Sequence, residues 1–359
     1  MINSFFKNLK VVELASVLAG PAVGMFFAEL GAQVIKIENK TTSGDVTRNW
    51  KLPSEDKNKG YSAYYCSVNW HKEVLFLDLN NEEDRSKIYD LIKDADVVLS
   101  NFKTGSAEKL GMDYKTLRNF NERLIYAELT GFPEGINKPA FDIVLQAETG
   151  FLFMTGEAER DPVRMPVALI DILAAHQLKE AILIALLQRE QTGKGSFVST
   201  SLFESAIASL ANQATNWLME GYIPQRMGSA HPNISPYGDI FYTKDNKLIT
   251  LAVGTEKQFK GLCLSLGVEE LVDDKRFITN MLRVENRELL KAELAKVICL
   301  FERKELNELF DEHGVPAGNI NNMREVFELP YAEDLVLEEQ FPDGEQTRRV
   351  KTVAFKFKM

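Results

Sequence analysis

Two carboxylates stand where the chain could do chemistry rather than merely meet solvent. Asp171 separates the apolar runs Val167-Ala168-Leu169-Ile170 and Ile172-Leu173-Ala174-Ala175. A carboxylate set among apolar residues loses hydration, and every change in its charge becomes expensive. Facing a pocket, such a group is a nucleophile or a base. At the start of a helix it is an N-cap accepting backbone N–H bonds. The pattern leaves both roles open. Asp142, in Pro139-Ala140-Phe141-Asp142-Ile143, opens a second helical segment, where capping is the simpler role. His176 follows Asp171 in the same helical pattern and reads as an ordinary helix histidine.

Basic residues gather in the first third, at Lys36, Lys40, Arg48, Lys72, Lys103 and Lys109. They make either a solvated face or a local anion pocket. The turn from Ser16 to Pro21 sits where a phosphate loop would open a helix. It lacks the glycines of GxGxxG, and Pro21 has no N–H to give, which argues against a dinucleotide site. A helix start there can still receive an anion. Gly193-Lys194-Gly195-Ser196 lacks the P-loop spacing and reads as a turn. The three cysteines and four histidines are scattered without ligand spacing, so no metal site is expected.

The elements that must position these residues are legible in the hydrophobic pattern. Over the first 130 residues, apolar runs at Leu9–Leu14, Gln33–Glu38, Val74–Leu79, Asp96–Ser100 and Arg123–Thr130 alternate with helical patterns. Alternation of this kind builds a Rossmann-like parallel sheet from right-handed βαβ units. A helix over Ile172–Arg189, a short strand at Ser196–Thr200 and one long helix from Leu202 to Glu220 are expected next. Gly221–Gly238, rich in Pro, Gly and Ser, reads as a linker. Beyond it, Asp239–Thr243 and Lys247–Val253 form a hairpin, followed by helical patterns.

Composition sets the outer limits. The 359 residues carry 42 basic and 52 acidic side chains, a net charge of −10. That balance argues against nucleic acid as the main partner, because phosphate neutralisation needs a basic surface. The start of the chain shows no secretory signal pattern, and the apolar run Ala181–Leu187 is too short to span a bilayer. A cytoplasmic protein with no membrane partner is expected.

Taken together, the residues resemble the family III CoA-transferases, also called the CaiB–BaiF family. The likeness rests on VVELASVLAGPAVGMFFAELGAQVIKIEN, on Val97–Lys103 with Lys109-Leu110-Gly111, and on Phe141-Asp142 with Gln146-Ala147. It continues through Arg189–Gly195, His231-Pro232 with Pro236-Tyr237, and Gly314–Gly318. It runs in order along essentially the whole chain.

The resemblance implies an α/β fold: a CoA-binding large domain over 1–215, a linker over 216–235, a smaller α+β domain over 236–320, and a C-terminal return over 321–359. It also implies an interlocked, ring-like homodimer. Asp171 matches the family's catalytic aspartate, and Asp142 an acidic position that assists catalysis. CoA contacts carry over onto Val17, Leu18, Ala19, Asn39, Lys40, Leu77, Asp78, Leu79, Asn101, Phe102, Lys103, Lys109, Lys138 and Phe141. No permanent cofactor is implied; acyl-CoA is a substrate, with a free carboxylic acid as its partner in the reaction. Leu18 stands where the formyl-type enzymes have Gln, which speaks against oxalate or formate chemistry. His71-Lys72-Glu73 replaces the usual NKR and puts a charge reversal near the CoA site. The family's C-terminal tail is expected to be shortened here. Two alternatives stand beside the transferase. One is an α-methylacyl-CoA racemase, although Phe141 cannot move a proton as the racemase histidine does. The other is a catalytically idle CoA-binding protein.

Overall fold

A computed structural model describes residues 5–341 and 344–356. Residues 1–4 of the expected large domain, and 342–343 and 357–359 of the expected return, lie outside the described residues. Lys10–Leu14 (β1), Gln33–Asn39 (β2), Glu73–Leu77 (β3), Val97–Ser100 (β4), Ile125–Thr130 (β5) and Phe197–Ser201 (β6) form a parallel sheet. Its order is β3-β2-β1-β4-β5-β6. The inner strands β1, β2, β4 and β5 are mostly buried and largely apolar because they are covered on both faces, whereas the edge strands β3 and β6 are partly exposed. The order reverses between β1 and β4, and in such sheets ligands bind beyond the carboxyl ends of the strands at that point.

Helix α1 (Ala19–Glu29) links β1 to β2, and short α2 (Ala63–Cys66) precedes β3. Helix α3 (Glu82–Lys93) links β3 to β4, and α4 (Ser106–Leu110) and α5 (Tyr114–Leu117) lie between β4 and β5. Helices α6 (Asp142–Glu148), α7 (Phe151–Met154) and α8 (Leu169–Thr192) precede β6. The single helix expected from Leu202 to Glu220 is instead two, α9 (Leu202–Ala208) and α10 (Ala211–Glu220). Ser209 Oγ donates back to Ser205 O at 2.7 Å, a bond that bends helices, and Ala211 takes φ +48°.

The chain divides into two compact units. The larger holds residues up to 151, 164–223 and from 334 on; the smaller holds 152–163 and 224–333. The sequence reading assigned 152–163 to the large domain. Those residues join the smaller unit through hydrogen bonds, Gly228 N to Gly156 O (2.9 Å) and Arg226 Nη1 to Phe153 O (3.1 Å). Within the smaller unit, β7 (Tyr237–Tyr242), β8 (Leu248–Ala252) and β9 (Ala317–Asn319) pair antiparallel. They pack on a core including Phe241, Phe259, Phe277 and Phe310.

In the larger unit the returning chain forms a hairpin, β10 (Val336–Gln340) with β11 (Gln346–Val350). Arg349 Nη1 donates to Cys66 O at 2.8 Å, and the buried Glu29 carboxylate accepts from Thr352 N (2.7 Å) and Val353 N (2.9 Å). Glu73 opens β3, four strand residues and about 13 Å before Leu77. The charge reversal at Glu73 is therefore at the opposite end of the sheet from the strand ends where a ligand would sit.

Candidate active site

Asp171 is the third residue of α8, buried to 9% exposure. It does not cap its helix. The helix start is capped from outside by Asp142, whose Oδ1 accepts from Ile170 N at 2.8 Å and more weakly from Asp171 N at 3.4 Å. Asp142 is the first residue of α6 and caps α8 rather than its own helix. Its other oxygen accepts from Gln146 Nε2 at 2.5 Å, and Gln146 Oε1 accepts from Met165 N at 2.9 Å. Gln146 thereby fixes both Asp142 and the chain leading into α8.

This division of labour leaves the Asp171 carboxylate without a hydrogen-bond donor among the described residues. Burial, and secondarily the negative charge of Asp142, push it up to about 7. A desolvated carboxylate near neutrality is a strong nucleophile when ionised, and sits poised to change state. The half-buried Tyr64, on α2, is close enough to feel Asp171, Asp142 and Asp45. Burial and these charges push its phenol up to about 12, so it remains an O–H donor. Trp50 packs edge-on against it at 5.0 Å.

A cleft of about 520 Å³ opens at the carboxyl ends of β1, β2, β3 and β4. Of the residues expected to bind ligand, it is lined by Asn39, Leu77, Leu79, Asn101, Phe102 and Lys103. Leu18 and Ala19 form the start of α1, with Val17 just before it. Lys40 is paired with Asp84 at 2.5 Å, Asp78 caps its own turn through Asn80 N (2.9 Å), and Lys138 pairs with Glu148. Lys109 lies on α4, and Phe141 is exposed at the start of α6.

Beneath the cleft lies a charge network that sequence reading missed. Lys36 Nζ, fully buried, reaches Glu13 (2.9 Å), Asp45 (3.2 Å) and Ala15 O (2.7 Å). Lys72 Nζ reaches Glu13 at 2.8 Å, and burial pushes that ammonium down to about 8. Arg48 binds both oxygens of Glu38 (2.6 and 2.8 Å), and Tyr65 Oη donates to Glu38 at 2.8 Å. So Lys36, Lys40, Arg48 and Lys72 already have carboxylate partners. Of the six basic residues noted in the sequence, Lys103 and Lys109 form no ion pair among the described residues. Above the network, Val17 holds φ +74°, a left-handed conformation costing about 1–3 kcal/mol in a non-glycine residue.

Among the described residues no cluster of His, Cys, Asp and Glu could hold a metal, and no helix is long and apolar enough to cross a membrane. Residues 6–359 match the family described as CoA-transferase family III. The chain is 40% identical to an acyl-CoA transferase of Fusarium pseudograminearum, over 92% of this chain and 74% of that protein. It is 37% identical to a succinate–glutarate CoA-transferase of Agrobacterium fabrum, over 96% and 88%. The crystal structure of a CaiB/BaiF family protein from Brucella suis superposes with a TM-score of 0.88 at 38% identity, covering 99% of this chain and 93% of that one.

Proposed function

Because this chain belongs to CoA-transferase family III, we propose that it moves CoA from an acyl-CoA to a free carboxylic acid through a covalent aspartyl-CoA on Asp171. The observation that carries this reading is the state of the Asp171 carboxylate: buried, without a hydrogen-bond donor among the described residues and pushed up to about 7, with Asp142 occupying the helix amides in its place. The Asp171 carboxylate attacks the thioester carbonyl, a C–O bond forms, the C–S bond breaks, and CoA leaves as a thiolate. The thiolate then attacks Cγ of Asp171 and displaces the first acid as its carboxylate. The acceptor carboxylate then attacks Cγ of the aspartyl-CoA, breaking the C–S bond and releasing the thiolate; the thiolate attacks the acceptor's acyl carbon in the resulting anhydride, forming the product thioester and freeing the Asp171 carboxylate. One thioester is broken and one is made over the whole exchange, so no nucleotide is consumed. Tyr64, a phenol that feels the charge of Asp171, would donate a hydrogen bond to an oxygen that gains charge in these steps.

Asn39, Leu77, Leu79, Asn101, Phe102 and Lys103 would line the CoA, and Lys103 and Lys109 would face its phosphates. Kinship with the succinate–glutarate enzyme supports short dicarboxylic acids as donor and acceptor. Chromatography of a mixture with succinyl-CoA and glutarate should show glutaryl-CoA forming as succinyl-CoA disappears. Exchange of an α-hydrogen with deuterated water, without transfer, would replace this reading with a racemase. Binding without either reaction would leave an idle CoA-binding protein.

Asp142→Asn removes the like charge beside Asp171 but turns one face of the side chain into a donor, against Gln146 or against the α8 amides. The acid limb of the kcat/KM profile should therefore shift below pH 7, with kcat reduced about tenfold or more. A midpoint unchanged from wild type would remove Asp142 from the account. A homodimer is also proposed. Helix α10 buries none of its residues in the chain and exposes Trp217, Leu218 (79%) and Met219 (73%). Sedimentation equilibrium should give twice the chain mass, and Leu218→Glu should lower it; a monomer in both would reject the dimer.

A further inference from the structure

The turn from Ala15 to Leu18 is gripped by side chains that the transfer steps do not use. Lys36 Nζ donates to Ala15 O at 2.7 Å. Asn101 takes both polar groups of the Ser16 backbone, accepting from N at 3.0 Å and donating to O at 2.8 Å. Asp45 Oδ2 accepts from Val17 N at 3.1 Å. Asp45 is itself held, with Oδ1 accepting from Thr47 N (3.0 Å) and Thr47 Oγ1 (2.8 Å), while its own N–H donates to Glu38 Oε2 (2.9 Å). Between these grips Val17 keeps φ +74°, a value that β-branched residues rarely adopt. Strain of this kind persists only where the surroundings over-determine it. The same turn gives Ala15 and Ser16 to the cleft wall, and it leads into α1, whose N-cap residue Leu18 brings no side-chain cap.

We propose that Asp45 is a positioning residue for CoA: by capturing the Val17 amide it imposes the left-handed turn that shapes the cleft wall and sets the uncapped start of α1 against the ligand. The proposal rests on reading this cleft as the CoA site. Asp45 acts on the turn through the Val17 amide and, by its pair with Lys36 (3.2 Å), through the cation that holds Ala15 O.

Calorimetric titration of free CoA into the full-length protein tests it. In Asp45→Asn, whichever way the amide turns, an N–H faces either the Val17 amide or the Thr47 donors. The dissociation constant should rise about tenfold or more, with a smaller change in kcat at saturating acyl-CoA. Adding Val17→Gly should recover most of that loss, because glycine takes a positive φ at no steric cost. Thr47→Val loosens Asp45 while keeping its charge, and serves where Asp45→Asn does not fold. It should raise the constant about threefold, again reversed by Val17→Gly. Unchanged affinity in both variants, or a loss that Val17→Gly leaves in place, would overturn the proposal. Wild-type protein that does not bind CoA would overturn the cleft reading itself, and the proposal with it.

Discussion

Asp171→Asn is expected to abolish CoA transfer and, at pH 8, to make the protein more stable. The loss follows from chemistry: a neutral amide cannot attack a thioester, and removing a nucleophile costs on the order of 10⁴-fold or more in kcat. The gain follows from linkage. Asp171 is pushed from 3.8 up to about 7 in the folded chain, so the native state binds its proton more tightly than the unfolded chain does. A raised pKa contributes stability that is fully present below about pH 4 and lost as pH rises through about 7. At pH 8 the buried charge costs the native state up to about 4 kcal/mol, which Asn removes. Thermal unfolding should show a higher Tm for Asp171→Asn at pH 8 and little difference at pH 4. A lower Tm at both values would mean that Asp171 is structural. In the wild type, kcat/KM should fall about tenfold per pH unit below 7, as the nucleophile takes up its proton.

The second large effect is expected at Lys36. Lys36→Met keeps the aliphatic stem but removes the ammonium, leaving the buried Asp45 without a cation; Glu13 retains Lys72. Breaking a buried pair from one side costs about 3–5 kcal/mol, because the remaining charge cannot be solvated. The bond to Ala15 O is lost as well. Urea unfolding should register that loss, and Lys36→Met combined with Asp45→Asn should recover part of it, since neutral neighbours no longer leave a charge stranded. A loss below about 1 kcal/mol would show that water reaches the network.

The parallel sheet was legible because inner strands covered on both faces must be largely apolar, as Val11-Val12 and Val97-Val98-Leu99 are. Asp171 was legible as a charge breaking apolar runs, and Asp142 as the acid that opens a helical segment. Their roles were not. Which carboxylate caps α8 depends on where α6 packs, and a residue 28 positions away in sequence took the amides. The network under the cleft was hidden for a like reason. Lys36 reads as one of the polar positions of the strand QVIKIE, open to a solvated face or an anion pocket, until Glu13 and Asp45 meet it from two other segments. Val17 was hidden more deeply, since a β-branched residue argues against the conformation it holds. Glu73 misled because sequence proximity to β3 does not say at which end of the strand a ligand lies; strand direction does. The break between α9 and α10 had a local signal in Ser205 and Ser209, each able to bond back to its own helix.

One measurement bears most directly on Asp171 as the covalent carrier of CoA. The wild-type protein, incubated with succinyl-CoA and quenched with hydroxylamine, is digested and the peptide spanning α8 is read by mass spectrometry. An aspartyl-CoA or mixed anhydride on Asp171 should be captured as its hydroxamate, in wild type and not in Asp171→Asn. Transfer that survives Asp171→Asn, or a hydroxamate on another residue, would contradict the account.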